Sequence, residues 1–165
     1  MAIALPAPDI SPAVVAYDGS AEAQAAVRQA VALLGHRPLV VATVWEAGLA
    51  AITMAPAPGE VGMTNLPDPE EVAAVDRAVS DHATAVAEDG ARLARELGAT
   101  VEALSVPESV DAAETLASIA EERAASAIVV GSRGLGAIKA RVLGSTSRKL
   151  LHHTHLPVLV VRAPE

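Results

Sequence analysis

The chain's 165 residues suit one domain with a sizeable core, and 52% of them are apolar, yet they include one Trp, one Tyr and no Phe. A core built of Val, Leu, Ile and Ala fits a β-branched parallel sheet covered by Ala-rich helices. Without cysteine there is no disulfide framework, thiol redox chemistry or cysteine metal site, and a net charge of -8 argues against the basic face that nucleic-acid or anionic-membrane binding needs.

Residues 1–12 lack a basic start and are broken by Pro6, Pro8 and Pro12, so they read as a flexible extension rather than a signal peptide. A single domain over 13–165 follows. No apolar run is long enough to cross a bilayer, and the expected location is cytoplasmic. Ala13–Tyr17 (AVVAY) reads as the first strand, bounded by Pro12 and the turn Asp18-Gly-Ser. Ser20 is a good N-cap with Glu22 near the helix start; Ala23, Ala26, Val27, Ala30, Val31 and Leu34 recur at helical spacing, and Gly35 stops the run. Leu39–Trp45 reads as the second strand.

Residues 46–66 have no clear period and contain Gly48, Pro56, Pro58, Gly59 and Gly62, which makes them a long loop, either a functional lid or a disordered segment. Asp68-Pro69-Glu70-Glu71 is a helix-start signature with Asp at N-cap, Pro at N1 and Glu at N3. Val72, Val75, Val79, His82, Val86, Leu93 and Leu97 then draw one apolar stripe along a helix ended by Gly98. At about 1.5 Å per residue that helix is long enough to overhang a sheet. Thr100–Leu104 is the third strand, Asp111 with Glu114 opens a helix to Ala124, Ala127–Val130 is the fourth strand, Ser145–Leu151 begins the last helix, and Pro157–Val161 is the fifth strand. Alternating strands and helices imply a parallel sheet with right-handed crossovers, and a ligand crevice at the carboxyl ends of the strands.

One segment stands apart in charge. From Ala124 to Pro164 there is no Asp or Glu, but there are Arg133, Lys139, Arg141, Arg148, Lys149 and Arg162, so the remaining chain carries -14. The same segment holds the clusters Gly131-Ser-Arg-Gly134-Leu-Gly136 and Gly144-Ser-Thr-Ser147 between two apolar runs. Glycines let main-chain N–H groups approach a phosphate closely, and a helix N-terminus adds a favourable dipole. Neither cluster supplies the Lys-Ser/Thr of a P-loop, and the first strand ends YDGSAEA, which is not the dinucleotide fingerprint.

The spacing that does fit is G-x-x-G, nine residues, G-[ST]: Gly131 and Gly134, then Leu135–Leu143, then Gly144-Ser145. With V-x-Y-D-G-S at the first strand end and L-P-V-L-V-V at the last, the chain from Ala13 to Arg162 resembles the universal stress protein family, in its ATP-binding branch. The resemblance implies an open α/β fold of the adenine nucleotide alpha hydrolase-like type, with five parallel strands in order 3-2-1-4-5 and helices on both faces. It implies a homodimer in which Pro157–Val161 pairs antiparallel with its copy, and an exposed apolar edge strand independently asks for such a partner. It also implies an ATP site, with Mg2+ as a possible companion. Gly131, Gly134, Gly144 and Ser145 would hold ribose and phosphates, Thr146 and Ser147 would donate from the helix start, Asp18 would meet the ribose or a metal, Val44 would contact adenine through its backbone, and Ala16 and Tyr17 would flank the base.

Several readings stay open at the level of sequence. Arg133 is a phosphate ligand by charge or a solvated arginine, and Asp18 is a ligand or merely a helix cap. Trp45 borders the base or packs at the rim. His152, His153 and His155 are read as favourable charge at a helix C-terminus rather than a metal site, because adjacent helical histidines point about 100° apart. The glycine pattern does not count phosphates, so AMP and cyclic AMP stand beside ATP, as does a nucleotide-free dimeric scaffold. No catalytic residue is assigned, and at most slow ATP hydrolysis is expected. Gly131→Val and Gly144→Val are expected to block phosphate while sparing the fold.

Overall fold

The computed structural model of the chain describes residues 10–35, 37–48, 68–134 and 143–163. Its elements in order are β1 (Ala13–Ala16), α1 (Ala21–Leu34), β2 (Leu39–Trp45), α2 (Pro69–Glu96), β3 (Val101–Pro107), α3 (Ala112–Glu122), β4 (Ala127–Gly131), α4 (Ser145–His153) and β5 (Val158–Val161). Residues 1–9 of the expected extension, most of the 46–66 loop, and Lys139 and Arg141 lie outside the described residues.

The helix starts are set by local chemistry. The Ser20 side chain accepts from the Ala23 N–H, Asp68 accepts from Glu70 N–H with Pro69 at the first position, and Asp111 accepts from both Ala113 and Glu114 N–H. β1 pairs in parallel with β2 and β4, β2 with β3, and β4 with β5, giving the order β3-β2-β1-β4-β5 expected from the resemblance.

Alternation along the strands splits the core in two. Val15, Val41 and Val129 face α1 and α2, where Ala23, Ala26, Val27, Ala30, Ala91 and Ala94 cover them. Val14, Val40 and Ile128 face α3 and α4, packed by Leu116, Ala120 and Leu150. Each valine or leucine fully buried there contributes roughly 1.5–3 kcal/mol relative to exposure.

Two expectations need correction. β3 does not stop at Leu104 but runs to Pro107, in register with β2 to its last residue. As an edge strand it tolerates a terminal proline, whose missing N–H costs no ladder bond. The valine stripe of α2 is not its buried face either. The buried residues are Ala83, Ala87, Gly90, Ala91 and Ala94; Val75 is exposed, Val72 and Val79 are only half-buried, and His82 is exposed. Small residues win because the helix lies very close to the sheet: a Cβ on Gly90 would come within 2.8 Å of the Tyr17 ring and 2.9 Å of Val41. The N-terminal half of α2 extends beyond its packed segment with no buried residue.

Candidate functional site

At the carboxyl ends of β1 and β4, where the strand order reverses, a cavity of about 330 Å3 opens between the turn after β1, the turn after β4, and the first turns of α3 and α4. Ala16, Tyr17, Asp18, Val44, Gly131, Arg133, Gly134, Gly144, Ser145, Thr146 and Ser147 all line it, so the topology brings the eleven expected residues together. Ala23, Ala42, Ala112, Leu116 and Val130 complete the lining and were not anticipated. They are small or aliphatic side chains with no chemical signature. The only signal for them was the period of two that puts Ala42 on the same face as Val44.

The polar end is assembled by two short hydrogen bonds. Gly144 N–H donates to the Ser132 carbonyl at 2.7 Å, and the Ser147 hydroxyl donates to the Gly131 carbonyl at 2.7 Å. These bonds join the two glycine clusters across the intervening sequence and bring the start of α4 against the end of β4. The Ser147 side chain is therefore committed to the loop: the residue is buried, and its hydroxyl proton is already given to Gly131. Gly144 stands at the N-cap of α4 and has no side chain with which to cap it, which leaves the first-turn N–H groups of that helix to an external acceptor.

The glycines are required by the chain as much as by any ligand. A Cβ on Gly131 would meet Glu22 Cβ at 2.9 Å and the Glu22 carbonyl carbon at 3.0 Å, so this glycine admits α1 to β4. A Cβ on Gly144 would meet the Ser132 carbonyl oxygen at 3.2 Å. Valine at Gly131 would therefore press on the packing of α1, and at Gly144 on the closure of the loop, so both substitutions reach beyond a phosphate site. Gly134 differs: among the described residues its added Cβ would meet the tip of the Asp18 carboxylate, at 2.6 Å.

Asp18 is not the cap of α1, a role that belongs to Ser20. One carboxylate oxygen accepts from Ser20 N–H at 2.9 Å, and the other lies close against Gly134. Tyr17 offers the cavity main chain rather than its ring. The ring lies on the α1 and α2 side of the sheet, its carbonyl accepts from the Thr43 hydroxyl at 2.8 Å, and its hydroxyl donates to Asp89 at 2.9 Å. Burial first, and then the Asp89 carboxylate, push the Tyr17 phenol up to about 12.

Arg133 is paired, its Nη2 lying 3.1 Å from Glu22 Oε1. Outside the lining, Lys149 of α4 reaches Asp111 at 2.7 Å, tying together the two helices whose first turns wall the site. Val44 lies on the cavity side at the end of β2, while Trp45 is not among the lining residues. Among the described residues no group of three or more His, Cys, Asp or Glu could hold a metal ion, and His152, His153 and His155 are exposed. No helix among them is long and apolar enough to cross a membrane.

Residues 107–162, which contain both glycine clusters, match the model of the Universal stress protein family. Over 153 residues (92% of the chain) the sequence is 37% identical to a universal stress protein of Mycolicibacterium smegmatis, and over 62 residues (38% of the chain) it is 39% identical to the universal stress protein YxiE of Bacillus subtilis. Together they support one family, the universal stress proteins. The matched stretches span 48% and 42% of those relatives' own lengths, less than half of either. Among solved structures, a universal stress protein from Burkholderia pseudomallei is 27% identical, with 94% of this chain and 98% of that one covered at a TM-score of 0.63. The hypothetical protein MJ0577 shares the fold at a TM-score of 0.72 and 19% identity, covering 94% and 98%. A universal stress protein in complex with cAMP (23% identity, TM-score 0.60, covering 94% and 98%) and one from Arabidopsis thaliana with AMP bound (16%, 0.58, covering 93% and 92%) share it too.

Proposed function

We propose that this chain is a single universal stress protein domain, cytoplasmic, that binds an adenine nucleotide in the cavity between β1 and β4, with ATP as the ligand and any magnesium carried on its phosphates. The observation that carries the reading is the pairing of two unlike ends in one cavity. The uncapped start of α4 and the glycine loop form the anion-binding end, and Ala16, Ala42, Val44, Ala112 and Leu116 give the same cavity an apolar lining suited to a base. Phosphate would be met by the first-turn main-chain N–H groups at Ser145, Thr146 and Ser147 and by Arg133, ribose by Asp18, and adenine by the Val44 backbone. A metal fits only through the nucleotide, since Asp18 has no second carboxylate or histidine beside it among the described lining residues. Any hydrolysis is expected to be slow, because positioning without a catalytic base gives little acceleration.

A second reading takes AMP or cyclic AMP as the ligand, and it is supported by the neighbours solved with those nucleotides. Separate calorimetric titrations with ATP, ADP, AMP and cyclic AMP test both: micromolar binding of ATP supports the first reading, and binding of only the cyclic or monophosphate form replaces it with the second. Absence of binding by all four, with no nucleotide retained in native mass spectrometry, leaves a nucleotide-free scaffold. Binding is proposed to act on a homodimer formed through β5, whose outer edge has no strand beside it among the described residues.

A further inference from the structure

Arg133 is the only Arg or Lys among the described residues that line the cavity, and its charge is answered before any phosphate arrives. Its partner Glu22 sits in the first turn of α1 with its side chain only 16% exposed, 3.1 Å from Arg133. The main chain at each end of the pair is held in place. Glu22 is pressed against Gly131, where even a methyl group would not fit, and the Arg133 Cα lies 3.5 Å from where a Cβ on Gly144 would stand. The arginine is thus anchored beside the start of α4 while its guanidinium is shared with an acid that does not itself line the cavity. Asp18 adds a second carboxylate to the lining, close against Gly134. Each phosphate group added to a ligand gains attraction from Arg133 and meets repulsion from Glu22 and Asp18.

We propose that Glu22 is a positioning residue that sets how strongly this site responds to the number of phosphates, by sharing Arg133 with the ligand. With Glu22 in place the gain from the second and third phosphates is restrained. Without its charge, Arg133 turns fully to the ligand and the triphosphate benefits more than the monophosphate. The proposal rests on the adenine-nucleotide reading and adds to it a residue that no motif marks.

The test compares Kd for ATP, AMP and adenosine, without added metal, in wild type, Glu22→Gln, Arg133→Gln and the double variant. Glu22→Gln should raise the preference for ATP over AMP by roughly three- to tenfold, leaving adenosine affinity unchanged as the sign of an intact slot. In the Arg133→Gln background the same substitution should move that preference less than about twofold, since the shared group is gone. Glu22→Asp keeps the charge but draws it back from Arg133, and should raise the preference in the same direction by a smaller factor. An unchanged ratio in both Glu22 variants overturns the proposal while the nucleotide reading stands. An equal change with and without Arg133 also overturns it, because the effect would then be direct repulsion. Failure of wild type to bind any of the three defeats the reading beneath it.

Discussion

Tyr17 shows how a residue can stand at the site without spending its side chain there. Its main chain borders the cavity, while its ring fills the notch left by Gly90 on the other face of the sheet. Because the chain has one tyrosine, its ionisation can be read directly from phenolate absorbance. The phenol should titrate near 12 instead of 10, and Asp89→Asn should bring it down, since hydrogen bonding to Asp89 follows burial among the causes. The folded state holds the protonated form, so this contribution to stability is complete below 10 and is lost as pH rises through about 12. The glycines separate by what they touch. Gly131→Ala should cost about 1–3 kcal/mol in chemical denaturation, because it forces β4 and α1 apart. Gly134→Ala, which among the described residues meets a carboxylate tip, should lose less stability and more nucleotide affinity. The pattern Gly131-x-x-Gly134 was legible in the sequence, but the reason for its first glycine was not, because Glu22 lies over a hundred residues away in the chain.

Helix starts were readable because a cap is a bargain between neighbours: Ser20, Asp68 and Asp111 each bond N–H groups two or three residues ahead. The buried face of α2 was not readable, since it depends on the sheet beneath. A stripe of valines looks like a core face until an alanine-and-glycine stripe proves the only one thin enough to admit close approach. Asp111 does double duty, capping α3 and accepting from Lys149 of α4. Lys149 and then the Glu114 N–H hold its carboxyl at about 2, below the ordinary 3.8. Stabilisation from this depressed group is present above 3.8 and lost as pH falls toward about 2. Urea midpoints should therefore separate wild type from Asp111→Asn at neutral pH and converge at the acid end of that window. β5 invites a second measurement. The carbonyls of Pro157, just before it, and of Val161 accept from the Ile128 and Ser132 N–H groups, so alternation turns the main chain of Val160 outward. Val160→Pro should remove an outward donor, abolish a β5-paired dimer in light scattering, and leave the inner ladder in place.

At the scale of the molecule, the site exists because a parallel sheet reverses its strand order between β1 and β4. Asp18 and Gly134, distant in sequence, are brought side by side as the two walls of one cleft meet. Both walls could be named from the sequence because each follows a strand and carries polar glycine turns. The apolar slot could not, because Ala42, Ala112 and Leu116 look like any core residues until the cavity is outlined. A ligand that bridges β1, β4, α3 and α4 should stabilise the whole fold. At a hundredfold excess over Kd it should add about 2.7 kcal/mol. For a domain of this size that raises the melting temperature by roughly 5–10 °C, an outcome that thermal melts with and without ATP would check.

The bonds from Gly144 to Ser132 and from Ser147 to Gly131 carry one more consequence, for engineering. They clamp the two ends of the sequence between Gly134 and Gly144 from outside it, so the fold itself has already met the cost of closing that connection. Lengthening an already closed connection is cheap, about 0.6 kcal/mol for each doubling. A recognition peptide or a reporter spliced between those glycines would be anchored at the mouth of the cavity, turning the domain into a cassette whose insert can be exchanged while its frame is kept.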